Sequence, residues 1–243
     1  MVRWMLMMVF GLFLMGRCWA QEPAVPDHIL VASEAWSDYT NADGSGLAWD
    51  ILRKVFEPAG VSVQTRTVPY MRSVGLVQRA EADAWVGSYH DEVAQTLYPR
   101  WHYDTDHIYA LGLADRPSPT RDTIGRYRLA WVRGYSFERF LPRIHQYNEV
   151  QRRTGILSML SHDRADYYID AQTEIEEVLK GAGNPAQFKV THIAELPLFV
   201  GFADTPRGRA LLALFDRRMG ELVPSGELRP VFERWKQPYP FAQ

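Results

Sequence analysis

The alternation of apolar and polar positions predicts an α/β fold in the first half of the chain. An apolar run at 28–33 predicts a buried strand, and apolar residues at helical spacing from Leu47 to Phe56 predict a helix. Alternation over 61–67 predicts a second strand, and a third is predicted at 83–87 after a helix that Pro69 opens. This order of strand, helix, strand, helix and strand is typical of a parallel sheet covered by helices.

The second half repeats this style with different residues. Strands are predicted at 126–132, 165–170 and 197–202, and helices at 173–180, from Thr205 to Leu222, and up to about Trp235. The turn at 134–136 is predicted to lead into a further helix. The polar, proline-rich segment 116–122 is expected at the surface, near a junction between two parts of the chain.

The first twenty residues have the pattern of a secretory signal peptide. Arg3 supplies a positive start, residues 4–16 form an apolar run, and 18–20 end it, so cleavage is expected before Gln21. The run is shorter than the roughly 20 residues that a transmembrane helix needs. We therefore expect an exported chain, with an uncleaved membrane anchor as the alternative.

Composition narrows the class of protein. Removal of residues 1–20 takes away two arginines and no acids, which changes the formal charge from −2 to −4. The chain has no basic run or stripe, so a nucleic-acid partner is not expected. The single cysteine, Cys18, lies in the signal peptide, and the remaining roughly 220 residues must therefore be stabilised by a hydrophobic core without a disulfide.

The order of several short motifs resembles the bacterial extracellular solute-binding proteins of family 3, the periplasmic amino-acid-binding type. The motifs are ILVASEAW at the first strand, DGSGLAWDIL at the first helix, ADAWVGSY at the third strand, LAWVRGYS, RADYYID, and a tail that begins LFVGFADTPRGRALL. Each motif alone is weak, but their order and spacing, together with the signal peptide, are fairly specific. The resemblance covers essentially the whole mature chain.

This resemblance implies a two-lobed α/β clamshell of the type II periplasmic binding proteins, in which each lobe is a mixed, mostly parallel sheet flanked by helices. Lobe 1 is expected to comprise 21–112 and 197–243, and lobe 2 the inserted 113–196. The hinge is expected near 111–113 and 196–198. A ligand between the lobes would favour the closed form, as hinge closure around ligands does in such proteins.

The resemblance also implies where the ligand binds in lobe 1. The loop after the first strand contains Glu34, Trp36 and Tyr39. In the family, this loop supplies an aromatic ring that stacks on the ligand and a polar group that recognises it. At the end of the third strand, Gly87 lets a ligand approach the backbone closely. Ser88 and Tyr89 follow it with hydroxyl groups. The alternative is that Trp36 only packs in lobe 1 with Glu34 exposed to solvent, and that 87–89 form an ordinary turn after a strand.

One expected residue is missing. Many amino-acid binders of this family carry an arginine several residues after the third strand, where its planar fork binds the ligand's α-carboxylate. Residues 88–99 contain no arginine, and Glu92 falls about where it would be. Either the ligand lacks a plain α-carboxylate, or another cation replaces the missing one. Arg72 and Arg133 are the candidates, because each lies at a strand-to-helix turn, although most arginines are simply surface residues.

In lobe 2 the resemblance implies a loop and an acid. Tyr135 and Ser136 match the family's anion-binding loop, and Asp170 matches an aspartate that binds the ligand's amino group. Asp170 also precedes a predicted helix and could be only its N-cap. Together with Glu34 and Glu92, Asp170 favours a ligand that carries an amine or another cationic group.

Metal and catalytic motifs are weak. The nearest approach to a metal pattern is His102 and His107 with two aspartates between them, and no HExxH is present, so we expect neither metal nor cofactor. The chain has no GxSxG, GxGxxG or Walker motif.

The expected function is that of a non-enzymatic, monomeric periplasmic receptor for an amino acid or amine-bearing molecule. It would work with an inner-membrane ABC permease or with a membrane sensor. Two alternatives stay open. One is an enzyme similar to the periplasmic cyclohexadienyl dehydratases, with Glu34 or Glu92 as the acid, and the other is a docking module that has lost its ligand.

Overall fold

The structure, a computed structural model, describes residues 26–241, so the predicted signal peptide lies outside the described residues. The first half forms the predicted alternation. Its elements are β1 (His28–Ser33), α1 (Leu47–Phe56), β2 (Ser62–Thr67), α2 (Tyr70–Gln78) and β3 (Ala84–Ser88). Strand β1 pairs in parallel with both β2 and β3, which confirms the predicted parallel sheet.

The second half contains the other strands and helices. They are β4 (Thr96–Leu97), β5 (Asp104–Leu113), β6 (Leu129–Val132), β7 (Tyr147–Val150), α3 (Ile156–Ser161), β8 (Tyr167–Ala171), α4 (Gln172–Lys180), β9 (Phe188–Ala203), α5 (Pro206–Ser225) and α6 (Arg229–Arg234). The predicted helix after 134–136 is wrong, because only a single 3-10 turn at Phe137–Arg139 follows. Ser136 enters that turn in a left-handed conformation, with φ +51°, and its side chain caps no backbone N–H.

Two long antiparallel strands connect the halves. The strand order is β2-β1-β3-β9-β5-β8-β6-β7, with β4 beside β9. The end of β9 pairs with β3 of the first half, while its first eleven residues pair with β5. Strand β5 in turn pairs with β8 of the second half. Both crossings between the halves therefore lie on β5 and β9.

The predicted lobe limits stay a prediction, and the strand pairing refines them. Leu111 pairs with Tyr168 of β8, which lies well inside the second half. Asp104 pairs with Leu198, beside the point where β9 begins to pair with β3. We propose that the first crossing is near Asp104–His107, earlier than 111–113, and that the second is near 195–198.

The core is built from the apolar faces that the sequence pattern predicts. Helix α1 buries Trp49 and Phe56 against the first sheet, and Phe56 lies 6.3 Å from Phe215 of α5, centroid to centroid. In the second half, Trp131 and Tyr167 are fully buried. Each such side chain contributes roughly 2–3 kcal/mol through burial. Within residues 26–241, no helix combines the length and apolar character needed to cross a membrane.

Candidate ligand-binding site

A cavity of about 540 Å³ lies between the two halves. The first half contributes Trp36, Tyr39 and Tyr89, the second contributes Tyr135 and Asp170, and Asp106 comes from the crossing strand β5. The polar ends of β1, β3 and β8 meet here because each strand ends at the edge that faces the other half. The position matches the usual place of a ligand at the carboxyl ends of strands in α/β sheets.

Trp36 forms one wall because Gly87 has no side chain. Gly87 has φ +87°, and a Cβ added to it would lie 2.5 Å from Cη2 of Trp36. The indole therefore packs directly on the backbone of β3. Thr40 fixes the loop that carries Trp36, since its Oγ1 accepts from Trp36 N at 3.1 Å and donates to Glu34 O at 2.7 Å.

Glu92 is held inside the protein by hydrogen bonds from three donors. The Tyr70 hydroxyl lies 2.8 Å from both carboxylate oxygens, and Oε2 also accepts from Ser88 Oγ and Tyr89 N, each at 3.0 Å. Burial raises the pKa of Glu92, and these hydrogen bonds oppose the rise. Glu92 thus holds together the loop that follows β3. Ser88 donates to Glu92 and is not among the described residues that line the cavity.

A second carboxyl group extends from the crossing strand into the cavity. Asp106 Oδ2 accepts a hydrogen bond of 2.9 Å from the Tyr89 hydroxyl. Burial raises the pKa of Asp106 to about 7, the Tyr89 hydrogen bond opposes the rise, and the charge of Asp170 adds to it. Nearby Asp104 is buried, and its Oδ2 has no hydrogen-bond partner among the described residues.

Arg153 is the cation at the boundary between the halves. Its Nε lies 2.9 Å from Asp170 Oδ2 and 3.0 Å from Glu174 Oε2, and its Nη1 lies 3.3 Å from Glu34 Oε1. Its Nη2 donates to the Tyr135 hydroxyl at 2.7 Å. Burial is the strongest single influence and opposes the charge of Arg153, but Asp170, Tyr135, Tyr168 and Glu174 together outweigh it, so the pKa of Arg153 is raised.

Two further contacts join the halves. Trp36 Nε1 donates to the Tyr135 hydroxyl at 3.3 Å, so one tyrosine oxygen receives both Trp36 and Arg153. Arg139, in the 3-10 turn of the second half, donates to the backbone carbonyls of Asp91 and Glu92. These contacts hold the two halves together on one side of the cavity's aromatic wall and at the loop of Glu92.

The structure brings most of the sequence-predicted site residues together and leaves four out. The cavity lining includes Trp36, Tyr39, Gly87, Tyr89, Glu92, Tyr135 and Asp170, and Glu34 contacts it through Arg153 and by accepting from Tyr70 N at 3.0 Å. Arg72 and Arg133 are exposed, and Arg133 lies 3.7 Å from Glu149. Neither arginine, nor Ser88 or Ser136, is among the described residues that line the cavity.

Sequence reasoning missed Arg153, Glu174, Asp106 and Tyr70. Glu174 had a usable signal, because it lies one helical turn beyond Asp170 at the start of a correctly predicted helix. Arg153 had none, since it lies in a polar loop between β7 and α3 that resembles any surface turn. Asp170 is not an N-cap, because the cap of α4 is Ala171.

The histidines converge differently from the pair considered in the sequence. His107, His192 and Glu195 have ligand-capable atoms within 4.8 Å of one another on the crossing strands. His192 and Glu195 are exposed, and the side chains of His107 and Glu195 lie 3.6 Å apart. An exposed group of this kind can form from surface charge alone, so metal binding forms no part of the function proposed below.

Comparison with known proteins gives matches among solved structures only. No protein-family model matches the chain, and no curated protein matches it. The substrate-binding protein of an amino acid ABC transporter is 18% identical over 86% of this chain and 100% of its own, with TM-score 0.65. EhuB in complex with hydroxyectoine is 21% identical, the match covers 87% of this chain and 89% of EhuB, and the TM-score is 0.67.

A third solved structure is a histidine kinase sensor domain with similarity to periplasmic binding proteins. It is 16% identical, the match covers 86% of this chain and 95% of that domain, and the TM-score is 0.66. Likeness at such low identity is evidence of shared fold. The chain accordingly has the α/β clamshell fold of the periplasmic binding proteins, as the sequence predicts.

Proposed function

We propose that this chain is a periplasmic solute-binding protein, a divergent relative of family 3, that captures a small amine-bearing ligand between its lobes. The single observation that carries this proposal is the cavity between the halves, with its aromatic walls and excess of carboxyl groups. The resemblance of the first twenty residues to a signal peptide supports export. We expect no enzymatic activity and no cofactor.

The charges around the cavity favour a cationic group on the ligand. Glu92, Asp106, Asp170 and Glu174 line the cavity, and Arg153 contacts two of them. Tyr and Trp rings present negative faces that attract ammonium or guanidinium groups. Asp106 and Glu174 each have a pKa raised to about 7, with burial as the main cause. An incoming cation would stabilise their ionised forms.

The named ligands of similar structures support the same class of compound without identifying it. One neighbour belongs to an amino acid ABC transporter, and another is in complex with hydroxyectoine. A third is a histidine kinase sensor domain, which supports sensing as readily as transport. We infer that the ligand is an amino acid or a related amine and that the partner is an ABC permease or a membrane sensor.

A ligand screen on natively purified protein tests the proposal. Thermal unfolding is measured with a panel of amino acids, amines and related metabolites, and mass spectrometry of the denatured protein identifies any molecule that copurifies. A concentration-dependent rise in Tm with at least one cationic or zwitterionic compound is expected. Asp106→Asn should weaken that response, whereas Asp91→Asn, an exposed acid of a neighbouring loop, should not. No response to any compound and no released molecule would refute the proposal.

A specific observation keeps the dehydratase alternative in view. Asp106 offers a carboxyl group whose pKa of about 7 suits a general acid, and it faces the cavity. The two acids expected from the sequence are engaged elsewhere: Glu34 contacts Arg153, and Glu92 accepts hydrogen bonds from three donors. Incubation with prephenate or arogenate, followed by absorbance of an aromatic product, distinguishes the two functions, and no product is expected.

A further inference from the structure

The surroundings of Arg153 have the composition of a binding site for a cation. Three carboxylates, from Glu34, Asp170 and Glu174, lie within 3.3 Å of its guanidinium nitrogens. The guanidinium carbon also lies 5.8 Å from the centre of the Tyr135 ring, within the usual range of a cation–π contact. These are the groups that a receptor uses to bind a ligand's guanidinium or ammonium group.

These groups come from both halves of the protein. Glu34 follows β1 of the first half, whereas Asp170 is the next-to-last residue of β8 and Glu174 lies in the first turn of α4. Arg153 itself comes from the five-residue loop between β7 and α3. The Arg153 side chain thus joins the two halves beside the cavity, which is the role that a bound ligand has in a clamshell protein.

The charge at this point is not balanced. Three carboxylates face a single guanidinium, and Asp170 is almost completely buried. Asp170 and Glu174 also line the open cavity, so a molecule inside the cavity can reach them. An excess of buried negative charge is unfavourable unless another cation enters or the groups take up protons.

We infer that Glu34, Asp170, Glu174 and Tyr135 form a cation subsite, that Arg153 occupies this subsite from within the chain, and that the ligand's guanidinium or ammonium group displaces Arg153 on binding. The inference rests on the proposed receptor function and names the recognised part of the ligand. The tethered guanidinium competes with every ligand from within, so the observed affinity is lower than the intrinsic affinity of the subsite.

Rescue by a small cation tests the subsite without knowledge of the natural ligand. Arg153→Ala leaves the carboxylates without their cation, and its thermal unfolding is measured with millimolar methylguanidinium chloride. Methylurea, a neutral molecule of nearly the same shape, and sodium chloride are the solute controls. Saturable stabilisation by methylguanidinium alone is expected, with a rise in Tm of about 3–6 °C at roughly ten times its dissociation constant.

Arg139→Ala is the matched control variant. Arg139 also connects the halves, but it donates to the backbone carbonyls of Asp91 and Glu92, so its removal leaves no unpaired carboxylate. The wild type and Arg139→Ala should show no saturable response to methylguanidinium. An equal response in all three proteins, or no response in Arg153→Ala, would overturn the inference.

Two further measurements cover a poorly folded variant and separate this inference from the proposed function. If Arg153→Ala is unfolded, methylguanidinium present during refolding should restore the native fluorescence, and methylurea should not. If methylguanidinium also fails to restore it, the result counts against the subsite. Arg153→Lys, which retains a positive charge, should respond at least about tenfold more weakly than Arg153→Ala. Stabilisation of Arg153→Ala by methylguanidinium, without binding of any metabolite to the wild type, would refute only the receptor function. Metabolite binding without this stabilisation would refute only the subsite.

Discussion

Replacement of Gly87 by alanine tests how Trp36 is positioned in the cavity. The new Cβ would lie 2.5 Å from Cη2 and 2.7 Å from Cζ3 of the indole, whereas carbon atoms in contact are normally about 3.5–4.0 Å apart. The ring must therefore move by roughly 1 Å or more. That shift would break the 3.3 Å hydrogen bond from Trp36 to the Tyr135 hydroxyl, one of the contacts that joins the halves.

Two energies add in this substitution. Alanine at φ +87° costs about 1–2 kcal/mol, because a Cβ clashes with its own backbone in the left-handed region. The displaced indole and its lost hydrogen bond cost about 1 kcal/mol more. We expect the free energy of unfolding to fall by about 2–3 kcal/mol, measured by urea titration with tryptophan fluorescence, and the affinity for the identified ligand to fall about tenfold.

Gly60→Ala is the matched control for this experiment. Gly60 also has a positive φ, +80°, but nothing lies within 4 Å of an added Cβ, so this variant has only the backbone cost. Gly87→Ala should be less stable than Gly60→Ala by about 1 kcal/mol, and only Gly87→Ala should lose ligand affinity. Equal stabilities and unchanged binding in both would refute the argument that Gly87 positions the indole.

Three further predictions concern the carboxyl groups of the cavity. The pKa of Asp106 is raised to about 7, so the folded chain keeps a proton that the unfolded chain loses near pH 4. The free energy of unfolding should therefore fall as pH rises from about 4 to 7, by at most about 1.4 kcal/mol per pH unit. Thermal unfolding of Asp106→Asn should lack this pH-dependent component, and a pH profile identical to that of the wild type would contradict the assignment. Glu92→Gln has one acceptor oxygen where the carboxylate has two, so it should lower the free energy of unfolding by about 2 kcal/mol in urea titration. Wild-type stability of this variant would show that the hydrogen bonds from the three donors contribute little. Burial raises the pKa of Glu174 to about 7, while Arg153 opposes the rise and Asp170 adds to it. Calorimetry should therefore find that a cationic ligand binds more tightly at pH 8 than at pH 6 and that binding releases protons. Binding that does not depend on pH would contradict this role of Glu174.

Periodicity was sufficient to predict the first half of the fold. The runs at 28–33, 61–67 and 83–87 became β1, β2 and β3, and their parallel order follows from the helices between them. The crossing strand β5 was missed because its sequence, DTDHIYALGL, mixes environments: Asp106 and His107 line the cavity, whereas Ala110 and Leu111 are buried. A strand that passes from one environment to another has no single period.

The candidate site was predicted by resemblance more than by pattern. Trp36, Gly87 and Tyr89 lie at ends of strands that the sequence located correctly, so their convergence follows from the topology. Arg153 could not be found this way, because its pairing with Glu34 depends on how one half closes over the other across 119 positions of sequence. The missing arginine after β3 was visible in the sequence, but the cation that occupies the cleft was not.

A crystal structure of protein purified without unfolding tests the central claim most directly. The account predicts electron density for a small amine-bearing molecule in the cavity, with its cationic group near Asp170 and Glu174, and its body between Trp36 and Tyr89. A cavity that contains only water, or only an anion bound away from these carboxylates, would contradict it.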